Sequence, residues 1–232
     1  MNAPRSCSAV LYIYSNVIYI SKQAASSQNN CLISWILFQQ MNKMMLFVVL
    51  CLMVPFVEVS GWCSSINIIS RAEWGARYPR RTSYMSLPVS KVFIHHTATS
   101  SCSTSRTCSA RVRSIQNYHM NSRRWNDIGY NFLVGGDGNV YEGRGWSGVG
   151  AHTANHNSVS LGVAMIGNYM NDLPSSDAIR AAKELIECGV ERSKISTFYD
   201  LFGHRDASQT TCPGDELYDE IQSWPGYSYG HP

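Results

Sequence analysis

A short apolar segment divides the chain and indicates the compartment in which the larger part of the chain folds. From Met41 the sequence reads MNKMMLFVVLCLMVPFVEVSGWC, with a lysine near its start, an apolar run over residues 44–57 and small residues at its end. These features, with an apolar stretch of about a dozen residues, are typical of a secretory signal peptide. A membrane-spanning helix needs about 20 residues. We therefore interpret residues 41–61 as a signal peptide and expect a secreted, extracellular protein without stable membrane insertion; a type II membrane anchor is the alternative.

The rest of the chain divides at this segment into two parts of different character. Residues 1–40 match no recognisable module, and we expect a non-native or unstructured upstream extension, with Met41 as the working start. Residues 63–232 contain no linker and no internal repeat, which predicts one domain. The 44% hydrophobic content suits a globular core, and a net charge of +3 is too small to indicate a nucleic-acid partner. We expect a monomer.

Export to an oxidising compartment makes the cysteines informative. Five of them follow the apolar segment, at Cys63, Cys102, Cys108, Cys188 and Cys212. A disulfide between Cys102 and Cys108 can close the short loop between them, and Cys63 can then pair with Cys188, so we predict these two bridges. An odd cysteine is either an intermolecular bridge or a thiol with a role of its own. On position alone, the sulfur of Cys212 could be half of a disulfide, a small buried apolar group or a metal ligand.

The apolar patterns predict strands interspersed with helices, which is typical of an α/β domain with helices packed on a mixed sheet. Runs of β-branched and aromatic residues predict strands at 90–97, 159–167 and 198–204, and a hairpin at 129–143 that turns at Asp137 and Gly138. Helical spacing predicts helices at 109–121, 174–190 and 215–224, the first capped by Ser109 and the second by Ser175 or Ser176.

Histidines lie near the ends of two predicted strands. His95 and His96 are consecutive, so only one of them can face a given side of the sheet. His204 ends another strand, and Cys212 follows after a loop. A catalytic zinc site uses three protein ligands and leaves the fourth position to water. One histidine of the pair, His204 and Cys212 would meet that count, although structural roles for the histidines are the alternative on these residues alone.

Six motifs together resemble the peptidoglycan recognition proteins, a family related to the zinc amidases of phage lysozyme type. They are WGAR, HHTATSSCSTSRTC, IQNYHM, DIGYNFLVGGDGNVYEGRGW, GAHT and GHRD…TxCPG, and the similarity covers about residues 63–227. The resemblance implies a short secreted animal member, with one α/β domain whose mixed central β-sheet is flanked by three helices. It also implies a peptide-binding groove on one side, and similar family members carry both predicted bridges.

The resemblance implies a set of catalytic residues as well. Zinc (Zn2+) ligands of the enzymatic members match His95, His204 and Cys212, and their catalytic tyrosine matches Tyr130. Thr210 stands where the phage enzymes use a lysine and the animal amidases usually carry threonine. Non-enzymatic receptors commonly lack the cysteine or the first histidine. We therefore expect an N-acetylmuramoyl-L-alanine amidase acting in innate immunity; a non-catalytic sensor that signals through protein partners is the alternative.

The expected substrate is bacterial peptidoglycan, and the residues expected to contact it are His96, Thr97, His119, Arg124, Trp125, Arg144 and His152. In the family, preference for diaminopimelic-type stem peptides goes with a glycine–tryptophan pair and a following arginine. Trp125 and Arg144 match this pattern, whereas Arg124 replaces the glycine. Diaminopimelic acid carries an extra carboxylate, which an arginine can bind bidentately. We expect diaminopimelic-type muropeptides to be preferred; an Arg144 that is only solvated at a hairpin end is the alternative.

Overall fold

The computed structural model describes residues 7–14, 17–24 and 61–232. Apart from Gly61, the predicted signal peptide lies outside these residues. Within the predicted upstream extension, strands β1 (Cys7–Tyr14) and β2 (Val17–Ala24) pair antiparallel, in a unit separate from residues 59–232. Among the described residues, no helix combines the length and the apolar character that a membrane crossing requires.

A mixed sheet of six strands forms the centre of the larger unit, in the order β3-β6-β5-β7-β4-β8. Its strands are β3 (Ile68–Ile69), β4 (Val89–His96), β5 (Phe132–Val134), β6 (Val140–Glu142), β7 (Ser160–Met165) and β8 (Ile195–Gly203). β5 and β6 form the predicted antiparallel hairpin, and the other neighbouring strands pair in parallel. All six residues of β7 are buried, as its continuous apolar run predicts for a central strand.

Helices pack on this sheet and confirm the predicted α/β class. They are α1 (Trp62–Ser65), α2 (Ser105–Asn117), α3 (Ser176–Glu191), α4 (His204–Ala207) and α5 (Asp215–Ile221), and a π-helical turn at Tyr118–Ser122 extends α2. The three longest correspond to the three helices expected from the sequence. Ser175 caps α3 by accepting a hydrogen bond from the backbone N–H of Ala178.

Several predicted boundaries differ from the structure, and two of the wrong ones bear on the site; local hydrogen bonds explain the first of these. Helix α2 begins at Ser105 rather than near Ser109, because Thr104 and Thr107 form a reciprocal capping box one turn earlier. Ser109 therefore lies inside the helix and is buried. Strand β8 ends at Gly203, so His204 is the first residue of α4 rather than the last of a strand.

The alternation of side chains along β4 decides which residues reach the site. Val92 and Ile94 belong to the apolar cluster that includes residues of α3 and α5. Phe93 and His95 therefore point to the opposite face of the sheet. Cys63 is bonded to Cys188, which ties α1 to α3, and Cys102 is bonded to Cys108 at the start of α2. Cys212 is free and buried.

Candidate metal centre

The structure brings together one ligand atom from each of His95, His204 and Cys212. These atoms all lie within 4.8 Å of one another, and Cys212 Sγ is 3.7 Å from His95 Nδ1. Strands β4 and β8 are parallel neighbours, so their carboxyl ends meet at the same edge of the sheet. His95 is near the end of β4 and His204 directly follows β8, so both histidines lie at this edge. The loop after α4 then brings Cys212 back to this edge.

His96 faces away from the cluster, as expected for the neighbour of His95 on a strand. Its Nδ1 accepts a hydrogen bond from the backbone N–H of Tyr169, at 3.3 Å. The backbone N–H of His96 points to Cys212 Sγ, at 3.4 Å. The main chain of β4 thus contacts the thiol, while the His96 side chain packs elsewhere.

Burial sets the protonation of the three side chains. It lowers the pKa of His95 well below its ordinary value and also lowers the pKa of His204. Both imidazoles are therefore neutral near pH 7 and keep a lone pair for a metal ion. Burial raises the pKa of the Cys212 thiol to about 12, and the His96 N–H opposes this shift.

The three side chains fit a zinc ion by chemistry and by spacing. Two nitrogens and one sulfur are a donor set that zinc prefers, and a catalytic site keeps one position open. Tetrahedral zinc with ordinary bond lengths places a nitrogen and a sulfur ligand about 3.6 Å apart. The 3.7 Å between His95 Nδ1 and Cys212 Sγ matches that spacing. A metal would also displace the thiol proton.

A second layer of polar groups lies behind His95. His95 Nε2 is 3.2 Å from His152 Nδ1, which is itself 3.0 Å from Thr153 Oγ1. Asn157 Oδ1 accepts hydrogen bonds from the backbone N–H groups of both His152 and Thr153. Burial lowers the pKa of His152 to about 3. Sequence reasoning missed Thr153 and Asn157; the only signal was the threonine of the GAHT motif.

A row of rings leads away from the cluster. The Tyr130 ring centroid lies 5.4 Å from that of His95 and 5.7 Å from that of His119, and His119 lies 4.7 Å from Trp125. Burial raises the pKa of Tyr130, so its hydroxyl keeps its proton. His119 Nδ1 accepts from the backbone N–H of Gly129, and burial lowers its pKa to about 4. This row of rings, which we call the ring wall, consists of four residues expected at the site: His95, Tyr130, His119 and Trp125.

The two expected arginines have different surroundings. Arg144 is half-buried, and its Nε and Nη1 donate to the carbonyls of Ile128 and Val149, at 2.7 and 2.6 Å. Its guanidinium is therefore bonded to the backbone rather than solvated at a hairpin end. Arg124 is exposed, with a φ of 61°. Arg123, which sequence reasoning did not select, lies over the Trp125 ring at 5.5 Å.

The two expected threonines bond to nearby main-chain groups. Thr210 is exposed, and its Oγ1 accepts from the backbone N–H of Cys212, at 3.2 Å. Thr97 Oγ1 accepts from the backbone N–H of Gly167, at 3.1 Å. Each hydroxyl fixes a loop beside the cluster. Their catalytic and substrate-binding roles stay predictions.

Comparison with known proteins gives a consistent result. A family model described as N-acetylmuramoyl-L-alanine amidase matches residues 85–215. Peptidoglycan-recognition protein SC1a of Drosophila melanogaster is 47% identical over 163 residues, which are 70% of this chain and 88% of that protein. Peptidoglycan recognition protein 1 of Bos taurus is 45% identical over 162 residues, which are 69% of this chain and 85% of that protein.

Among solved structures, the chain is similar to peptidoglycan recognition protein-LE in complex with tracheal cytotoxin, a monomeric diaminopimelic acid-type peptidoglycan. The two are 47% identical with a TM-score of 0.69, and the match covers 69% of this chain and 95% of that one. The chain therefore belongs to the N-acetylmuramoyl-L-alanine amidase family, and within it to the peptidoglycan recognition proteins.

Proposed function

We propose that this protein is a secreted, zinc-dependent N-acetylmuramoyl-L-alanine amidase that acts on bacterial peptidoglycan in innate immunity. One observation carries the proposal: the ligand atoms of His95, His204 and Cys212 converge within 4.8 Å, and Cys212 forms no disulfide. A binding-only protein has no need of a buried, unpaired cysteine facing two neutral histidines. The bond cleaved is the amide between muramic acid and the L-alanine of the stem peptide.

The chain's own groups supply the rest of the chemistry. A bound zinc ion would polarise the amide carbonyl and lower the pKa of a water molecule to about 7. Tyr130 lies beside His95 with its hydroxyl protonated. It can therefore donate a hydrogen bond to the oxygen on which negative charge develops during attack. The rings of His119 and Trp125 extend the same wall and provide a surface for the stem peptide.

For the substrate class, we propose diaminopimelic-type muropeptides. The similar protein LE is described in complex with such a muropeptide, at 47% identity. In this chain the Trp125 end of the ring wall is positively charged, because Arg123 lies over the Trp125 ring and the neighbouring Arg124 is exposed. An extra carboxylate on the stem peptide would meet these cations, whereas a lysine side chain would be repelled by them.

Activity is tested by incubating the purified protein with polymeric peptidoglycan and measuring released stem peptides with free N-terminal alanine by mass spectrometry. We expect turnover in the presence of zinc and its loss after chelation. Cys212→Ser should abolish turnover and retain muropeptide affinity, because the ring wall does not involve the thiol. Tyr130→Phe should lower turnover by about 100-fold, the usual effect of removing one oxyanion donor.

Tyr199→Phe is the matched control for the tyrosine. Its hydroxyl donates to the carbonyl of Pro225, in a region that packs with α3 rather than with the metal cluster. Undiminished turnover by Cys212→Ser would refute the assignment of the ligands. Tight binding of peptidoglycan without any release of stem peptide, with zinc present, would refute the enzyme and favour a sensor.

A further inference from the structure

The buried ring of His152 lies directly behind His95. Building on the function proposed above, we infer that His152 is a positioning residue that holds His95 in the orientation and tautomer needed to bind a metal. The sequence motifs place His152 among the substrate contacts instead. Its side chain is only 7% exposed, and its Nδ1 faces His95 Nε2 at 3.2 Å.

The hydrogen-bonding inventory of the two rings supports this role. His95 Nδ1 faces Cys212 Sγ, so with a metal on Nδ1 the remaining proton of a neutral His95 is on Nε2. That N–H needs an acceptor, and His152 Nδ1 is nearer, at 3.2 Å, than Thr153 Oγ1, at 3.4 Å. His152 Nδ1 must then carry a lone pair, and the proton of the ring is on Nε2.

The other nitrogen of His152 shows which side of the ring is used. His152 Nε2 is buried and makes no hydrogen bond of ordinary geometry among the described residues. The backbone of Ser160 nevertheless acts on this ring as a hydrogen-bond acceptor. An acceptor on that side favours the proton on Nε2, because a buried donor directed away from any acceptor is unfavourable. Nδ1, which is directed at His95 and Thr153, then keeps its lone pair.

Two glycines and Asn157 shape the space that the His152 ring occupies. A side chain at Gly150 or Gly162 would overlap the His152 imidazole, so glycine at both positions makes room for it. Asn157 fixes the backbone of His152 and Thr153 through two hydrogen bonds. Metal-bound histidines almost always donate their second N–H to an acceptor, usually a carboxylate, a backbone carbonyl or water, and loss of that acceptor typically costs 10–100-fold in metal affinity. Here the lone pair of His152 Nδ1 takes the acceptor's place.

Zinc affinity of the otherwise intact protein, measured by competition with a chromophoric chelator, tests this role. In His152→Asn the amide oxygen can take the place of Nδ1 and accept from His95. In His152→Gln the amide lies near the place of Nε2 and that acceptor is lost. We expect zinc affinity to fall about 10–100-fold in His152→Gln and to stay close to the parent value in His152→Asn. The visible spectrum of the cobalt-substituted protein should likewise change more in His152→Gln than in His152→Asn.

His156→Gln is the matched control, because His156 lies in the same loop and its ring packs against Phe93 rather than His95. Gly162→Ala should also lower zinc affinity, because the added methyl group displaces the His152 ring while the histidine itself is retained. Thermal unfolding of the metal-free proteins identifies which variants fold.

Two results would overturn the inference. One is unchanged zinc affinity in folded His152→Gln together with weaker muropeptide binding, which would make His152 a substrate contact. The other is an equal loss of zinc affinity in His152→Asn and His152→Gln. A parent protein that binds no zinc would refute the proposed function itself, and the positioning role with it.

Discussion

The two disulfides provide a quantitative test of how the fold is stabilised. They close loops of very different length, with sequence separations of 125 residues for Cys63–Cys188 and 6 for Cys102–Cys108. In the chain-entropy description, a bridge stabilises the fold by restricting the unfolded chain, and the effect grows with the logarithm of loop length. The expected stabilisation is about 4.9 kcal/mol for the long loop and about 2.2 kcal/mol for the short one.

The perturbation is the replacement of both cysteines of one bridge by alanine, in two separate double variants. Cys188 and Cys108 are both fully buried, so the packing loss is similar and largely cancels in the comparison. Urea denaturation of the oxidised proteins should place the Cys63→Ala/Cys188→Ala variant about 2.7 kcal/mol below the Cys102→Ala/Cys108→Ala variant in free energy of unfolding. An equal loss, or a larger loss for the short loop, would refute the entropic reasoning.

Two further predictions concern the fold around the candidate metal centre and the preferred substrate. Asn131 is fully buried; its side chain donates to the carbonyls of Gly145 and Gly148 and accepts from the N–H of Gly162. Asn131→Ala should therefore lower the free energy of unfolding by about 3–5 kcal/mol. A decrease below about 1 kcal/mol in urea titration would contradict this. Diaminopimelic-type muropeptides should be cleaved faster than lysine-type ones. The Arg123→Ala/Arg124→Ala double variant should narrow this difference in rate more than it lowers overall activity, because these two arginines carry the positive charge beside Trp125. Equal cleavage rates for the two substrates in the parent protein would refute the preference.

Much of the fold follows from local patterns. The apolar run of β7 predicts a buried central strand, and the turn residues Asp137 and Gly138 predict the hairpin, because both depend on neighbours in sequence. The start of α2 was misplaced since several hydroxyl residues compete to cap it. Thr104 prevails through its reciprocal bonds with Thr107, and a single sequence does not rank such competitors.

The sequence by itself determined the candidate donor types, one histidine of the pair His95 and His96, His204 and an odd cysteine, because residue type and cysteine parity are properties of the chain. Tertiary structure decided which histidine of the pair faces that set, since the strand pleat and the packing of α3 and α5 on one face direct His95 to the other. It also decided what lies behind His95. His152, Thr153 and Asn157 are far from it in sequence, and they reach it because β7, which follows them, pairs in parallel with β4. No local pattern encodes that contact, because its geometry exists only once the sheet has formed.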